Sequence, residues 1–365
     1  MSVDWATERA RFPVLERYAY LNAGTFGPLA RETLDASAHI RSWEVEHGRA
    51  GRAYFDDLLA GRVRVRELVA AQLGVAAENV ALTQSTTQGV HVVVLGLDLG
   101  PGDGVVTTDA EHFGLTGPLI ASGAELQIAR VRGAAAADIF ELVRAQVTPR
   151  TRLIALSAVS WIDGTIFPWR ELREATGLPV LIDGAQSVGA IEVDAAAADF
   201  YTVSGQKWLC GPDATGALAI RDPDALRPRL VSYPSAEAYD IGAGTWEPKA
   251  GAPRFDPVFT PASSVAGLEV ALTGLPDGRF ERARELAERG RALLIDAGHD
   301  VLTQPGQATL LTWHVHGDAT AASLALYEHG VVIRDLPASD LLRASVGWWN
   351  DEDDLERLVE ALGDL

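Results

Sequence analysis

Cysteine is nearly absent: 365 residues contain one, Cys210, which excludes an internal disulfide and any cysteine-rich metal site. No apolar run approaches the ~20 residues of a membrane-crossing helix. Basic side chains are in deficit, 31 against 50 acidic ones, for a formal charge of −19. Such a surface repels phosphate backbones and anionic lipid, so no nucleic-acid or membrane partner is expected. Met1 to Ala10 is polar and acidic, so no secretory or transit signal is visible and the cytoplasm is the expected compartment. The eight histidines lack paired metal spacing. His314 and His316 alternate along a strand-like run as surface residues would, and no metal is expected.

Hydrophobic residues make up 47% and charged residues 22%, as in globular chains. The length suits two domains, or one large domain with an appendage. From about residue 55 to 220, short apolar runs alternate with helical stretches. The runs are Val80 to Thr83, Gly104 to Thr107, Leu126 to Ala129, Arg152 to Ser157, Val180 to Ile182, Phe200 to Val203 and Ala217 to Ile220; amphipathic segments include Leu58 to Leu73 and Ala134 to Ala145. The pattern predicts an α/β fold whose mainly parallel sheet is covered on both faces. Residues 225 to 262 gather Pro, Gly, Tyr and Trp and read as an ordered crossing segment. Helical patterns at Val265 to Leu275, Phe280 to Gly298 and Glu352 to Leu362 follow, with strand-like runs at Ala308 to His316, Val331 to Ile333 and Arg343 to Val346. These predict a smaller α+β C-terminal domain. The expected boundaries are 1–25 for an N-terminal segment near the site, 26–230 for the large domain, 231–264 for the crossing segment and 265–365 for the small domain.

Ligands in such sheets sit at the carboxyl ends of the strands, where four segments fall. Thr83-Gln84-Ser85-Thr86-Thr87-Gln88-Gly89 follows a strand and opens a helix, either as a phosphate cradle or as a Thr-rich N-cap. His112 follows the next strand, placed to stack on a planar ring or to sit as an ordinary loop histidine. Asp183 ends a fully apolar strand, a costly place for a carboxylate unless a cation pairs with it. A pyridinium N–H would serve, kept protonated as an electron sink. Lys207 follows the next strand in Ser204-Gly205-Gln206-Lys207-Trp208, where enclosure lowers a lysine pKa and favours a Schiff base with an aldehyde. Ser204 and Gln206 would reach a cofactor phosphate from the other side.

The chain resembles the class V aminotransferase-type pyridoxal-phosphate enzymes: cysteine desulfurases, cysteine and cystine C–S lyases, kynureninases and isopenicillin N epimerases. The likeness runs from Leu21-Asn22-Ala23-Gly24 to the C-terminal helix. It is most specific at Ile182-Asp183-Gly184-Ala185-Gln186 and at Ser204-Gly205-Gln206-Lys207-Trp208-Leu209-Cys210-Gly211-Pro212. It implies the aspartate aminotransferase fold and pyridoxal 5′-phosphate (PLP) as cofactor. It also implies Thr86, Thr87, Ser204 and Gln206 on the phosphate, His112 stacked on the ring, Gln186 at the ring hydroxyl and Asp183 at the ring nitrogen. Lys207 would carry the Schiff base, and Arg343 would clamp the substrate α-carboxylate in bidentate fashion.

Desulfurases of this group attack sulfur with a cysteine on the loop between the positions of Arg334 and Arg343. Here Asp335 to Leu342 contains none, which excludes a persulfide at that place and leaves β-elimination, with Lys207 as base at Cα, as the expected reaction on cysteine, cystine or a cysteine S-conjugate. Cys210, in a Cys-Gly-Pro turn, reads as a small packed hydrophobe. Trp161 and the Asn22 to Gly27 segment resemble the C–S lyase branch and are expected beside the substrate. Gln206 stands where many relatives have histidine, and Trp161 where many have asparagine. An aminotransferase or an epimerase would use the same Asp183 and Lys207. A non-catalytic PLP-binding module normally carries an attached DNA-binding domain, for which no basic segment exists here. The resemblance implies a homodimer, with Phe259 to Ser264 reaching the partner's phosphate. Arg49 and Arg52 lie in a stretch read as a loop, either closing over substrate or carrying surface charge.

Overall fold

The computed structural model describes residues 3–364. A seven-stranded sheet runs in the order Val80–Thr83, Gly216–Ile220, Phe200–Ser204, Val180–Asp183, Thr151–Ser157, Gly104–Thr108 and Glu125–Ala129. Gly216–Ile220 is antiparallel to both of its neighbours, and the remaining pairs are parallel. Successive side chains of a strand point to opposite faces. Leu153, Ala155 and Leu181 therefore enter one core with Val90, Val93, Leu115 and Leu119. Ile154, Leu156, Val180 and Ile182 enter the other with Val65, Val69, Leu73 and Val143. Both faces need apolar residues, which explains the unbroken apolar runs. The parallel strands end along one edge, and that edge receives Thr83, Thr108, Ser157, Asp183 and Ser204.

A second unit holds an antiparallel sheet of Leu310–His314, Leu341–Ser345 and Arg334–Asp335, with helices Arg279–Asp296, Ala319–Glu328 and Glu352–Gly363. The run at Val331 is not part of that sheet. Val331–Val332 pairs in parallel with Ala19–Tyr20, so the N-terminal segment enters the same core as Leu311, Trp313 and Leu342.

Other differences from the sequence reading have local causes. Helix Arg31–His47 carries no apolar stripe: it buries only Thr33 and packs on Ala262–Thr273. Helix Arg52–Leu73 starts before Leu58, so Arg52 is its first residue and not a loop residue. Arg52 pairs with Asp56 at 3.5 Å, and Arg49 is exposed. The alanine-rich stretch from Ala134 shortens to Ala136–Asp138 and Ile139–Arg144. The crossing segment contains an exposed hairpin, Ala236–Asp240 with Thr245–Pro248. His314 Nδ1 lies 2.8 Å from Asp340 Oδ2. No helix among the described residues is long and apolar enough to cross a membrane.

Candidate active site

A cavity of about 170 Å³ opens at the strand ends. Helix Thr86–Gly96 points its N-terminus at it: Ser85 caps the helix by accepting from Gln88 N at 3.1 Å, and Gln84 N donates to Gln88 Oε1 at 2.8 Å. Thr86 and Thr87, in the first turn, have no intrahelical acceptor for their N–H groups, and both line the cavity with Ser85. Ser204 and Gln206 line it from across, Ser204 Oγ donating to Gln206 Oε1 at 3.0 Å. Of the two alternatives posed by the sequence, the N-cap is present, with Ser85 as the capping residue, and the same turn faces the cavity.

His112 is an N-cap, a role the sequence reading did not foresee. Its Nδ1 accepts from Gly114 N at 3.0 Å, which places the proton of the neutral ring on Nε2. The ring meets Trp161 edge-on, centroids 5.2 Å apart. Its cavity side is accessible, yet surrounding protein, and after it Lys207, holds the imidazolium form below the usual histidine range. A neutral flat face results.

Asp183 is buried, and its Oδ1 accepts from Ala185 N at 2.9 Å and Thr202 Oγ1 at 3.5 Å. The carboxylate borders the same cavity as Lys207. Lys207 is one of two lysines in the chain, with Lys249. Burial is the main cause that pulls its ammonium down to about 8; Asp183 opposes, and Arg343 and Arg334 add to the fall. At neutral pH a usable fraction is free amine. Gly27 packs on this loop: its N–H donates to Gln206 O at 2.8 Å, and a Cβ there would collide with the Lys207 carbonyl oxygen.

Gln186 lines the cavity, but most of its amide is engaged. Its Oε1 accepts from Trp208 Nε1 at 3.0 Å, and its Nε2 donates to Gly24 O at 2.9 Å. One amide N–H remains for a ligand.

Arg343 and Asn22 are not among the residues that line the cavity. Asn22 Oδ1 accepts from Thr25 Oγ1 at 2.9 Å, and Asn22 bridges to Ser345. Arg343 is fully buried; its Nη1 donates to Trp161 O at 2.6 Å, while Nε and Nη2 have no acceptor. A Cβ on Gly24 would lie 2.6 Å from Nη2. Burial first, and then Arg334, lowers this guanidinium to about 9. Two unpartnered N–H groups on a buried cation are costly unless an anion completes them.

The sequence reading missed Ser157 and Val159, which line the cavity, and Glu111, which bonds to Ser157. Ser157 ends a predicted strand, so the strand-end rule would have found it. Glu111 gave no signal, because nothing local in Asp109-Ala110-Glu111-His112 says that its carboxyl is buried.

The model of the aminotransferase class-V family matches residues 22–297. The chain belongs to that family. A cysteine desulfurase of Haloferax volcanii is 30% identical over 99% of this chain and 96% of its own length. An isopenicillin N epimerase of Streptomyces clavuligerus is 28% identical over 99% and 98%. Two structures of C-DES superpose with TM-scores of 0.90 and 0.89 at 25% identity, covering 98% and 97% of this class V chain and 99% of C-DES. One is a lysine-to-alanine variant with glycine covalently linked to the PLP cofactor; the other is the cystine C–S lyase with its product, cysteine persulfide. The architecture is the PLP-dependent transferase fold, with a large α/β sheet and a smaller α+β unit.

Proposed function

We propose that this chain is a PLP-dependent carbon–sulfur lyase that eliminates across Cα–Cβ of cysteine, cystine or a cysteine S-conjugate. PLP is its cofactor, in keeping with its family and with C-DES. The residues fit that group. The open N–H groups of Thr86 and Thr87, with Ser204 and Gln206, suit its phosphate. Asp183 suits the ring nitrogen, the neutral His112 face the ring, the spare Gln186 N–H the ring hydroxyl, and Lys207 the aldehyde carbon. When bound, the cofactor supplies an electron sink for the pair left behind at Cα.

The chain's residues do the rest. Arg343 holds the α-carboxylate on Nε and Nη2, with Asn22 and Trp161 enclosing the substrate. Lys207, with its ammonium lowered to about 8, takes the Cα proton as a free amine and delivers it to solvent or leaving group. From cystine plus water the balance is pyruvate, ammonia and cysteine persulfide. The carrying observation is the position of the lone cysteine. Cys210 is buried, its thiol pushed upward chiefly by burial, and Asp335–Leu342 offers no nucleophile to hold sulfur.

The test is incubation of the holoenzyme with cystine and with cysteine. Pyruvate, ammonia and a sulfane product are expected; alanine with a persulfide on the protein would sink the reading. The likeness to the epimerase favours a second reading, inversion at Cα on the same Lys207. Loss of optical rotation in deuterated buffer without pyruvate would select it, and stoichiometric pyridoxamine phosphate would select an aminotransferase.

A homodimer is part of this proposal. Phe259 stacks with exposed Tyr233 (5.9 Å) and meets exposed Phe55 (6.1 Å), an apolar face from which Phe259 to Ser264 would reach the partner's phosphate.

A further inference from the structure

Glu111 is a buried acid with no role in the reading above. Its Oε1 accepts from Thr108 Oγ1 at 2.9 Å; its Oε2 accepts from Ser157 N at 2.9 Å and from Ser157 Oγ at 2.5 Å. All three donors are neutral. Ser157 stands in register with Asp183 on the adjacent strand and lines the cavity, so one residue separates this carboxyl from the wall that faces the ring. Of the groups around it, Asp183 is the charged one that acts on it, and Thr108 and Ser157 do not titrate. Asp109 is drawn away by Arg130 (3.7 Å) and by the N–H groups of Val131 and Arg132. His112 turns its ring to the cavity.

Asp183 lines the cavity and Glu111 is bonded to Ser157 on the adjacent strand, and two carboxyls so placed disfavour each other's ionisation. Burial is the main reason that Glu111 titrates at about 7; bonds from Ser157 and Thr108 pull it down, and Asp183 pushes it up. A cation placed on Asp183 removes the repulsion.

We propose that Glu111 is a positioning residue for the ring end of the cofactor: it fixes Ser157 in the cavity wall and, through its place beside the strand that pairs with Asp183, releases a proton to solvent when a protonated ring nitrogen settles on that aspartate. The inference rests on the cofactor reading above. Its sign is fixed: the protonated ring binds the ionised form of Glu111 best, so this residue makes cofactor affinity rise as pH passes upward through neutrality.

The experiment compares wild-type apoprotein with Glu111→Gln, a neutral isostere. PLP binding is followed by calorimetry in buffers of different ionisation enthalpy and by absorbance titration between pH 6 and 8. The wild type should release a small fraction of a proton more than the variant near pH 7, and gain about twofold more affinity across the range, because the repulsion from Asp183 is the smallest of the influences on Glu111. With a pyridoxal phosphate analogue that has carbon in place of the ring nitrogen, the two proteins should coincide. Equal proton release, a uniform loss at every pH, or a difference that persists with the analogue would overturn the proposal. Should Glu111→Gln fail to fold, Ser157→Ala serves instead. It removes a bond that holds the acid down, so the break in affinity should move to higher pH, and an unmoved break is equally fatal. Failure of PLP to bind the wild type at all would sink the cofactor reading itself, a distinct result.

Discussion

Arg343 donates one guanidinium N–H to the main-chain oxygen of Trp161, 2.6 Å away, and keeps Nε and Nη2 buried without acceptors. The contact fixes the plane of the fork, and under the proposed function a substrate carboxylate would meet two parallel N–H groups there. Arg343→Lys loses the second bond and the planarity. KM for an amino-acid substrate should rise about tenfold or more, with a smaller change in kcat, because the carboxylate is held alike in ground and transition states. Steady-state kinetics checks this, and cofactor loading by absorbance should be unchanged.

Lys207 titrates at about 8, where an ordinary lysine stands at 10.5. Capture of an aldehyde needs the free amine. Its rate in the apoprotein should therefore climb about tenfold per pH unit below 8 and level off above, where an ordinary lysine would climb past 10. Borohydride trapping followed by peptide mass analysis reads it, with Lys249 as internal control. Lys207→Ala should lose the trapped mass and the turnover together.

Asp183→Asn keeps the shape and removes the charge. PLP should still bind, more weakly, while turnover falls by a hundredfold or more, as expected when ~3 kcal/mol of carbanion stabilisation is lost. Cofactor titration and kinetics on the same preparation separate the two effects.

Gly27→Ala should damage the site from outside it. The added carbon would collide with the Lys207 carbonyl oxygen, which already accepts from Cys210 N at 3.0 Å. A stability loss of ~1–3 kcal/mol is expected from such overpacking, with slower aldehyde capture. Urea denaturation and the trapping assay measure each.

Trp208→Phe removes the indole N–H that Gln186 Oε1 accepts at 3.0 Å. A buried acceptor left unpaired costs about 1–2 kcal/mol. The loss should appear in urea denaturation of the apoprotein, and Trp208→Phe should cost little further in a Gln186→Leu background, where that acceptor is already gone.

Much of the fold was legible because an apolar strand buried on both faces has a signature that survives without context. Val180 to Ile182 and Phe200 to Val203 could be little else, and the chemistry-bearing residues follow at their ends. Helix Arg31–His47 was illegible because it buries only Thr33 and so leaves no apolar period. The run at Val331 was legible as a strand but its partner was not: it pairs with Ala19–Tyr20, more than 300 residues away, and a two-residue strand carries no register information. In the site, Lys207 and Asp183 stood out because a charged group after an apolar strand is costly alone. His112 was singled out for ring stacking, but the sequence could not show that its Nδ1 caps a helix.

By itself the sequence determined which residue types stand at the strand ends and that the Arg334–Arg343 loop has no cysteine. Those facts depend on periodicity and on identity, and both are local. Only the tertiary structure decided that Gln186 is tied to Trp208 and Gly24, that Arg343 is held by the Trp161 carbonyl with Nε and Nη2 unpaired, and that Glu111 is bonded to Ser157. These are contacts between residues up to 182 positions apart, set by how the layers pack, and the strength of each charge there follows from how much water that packing excludes.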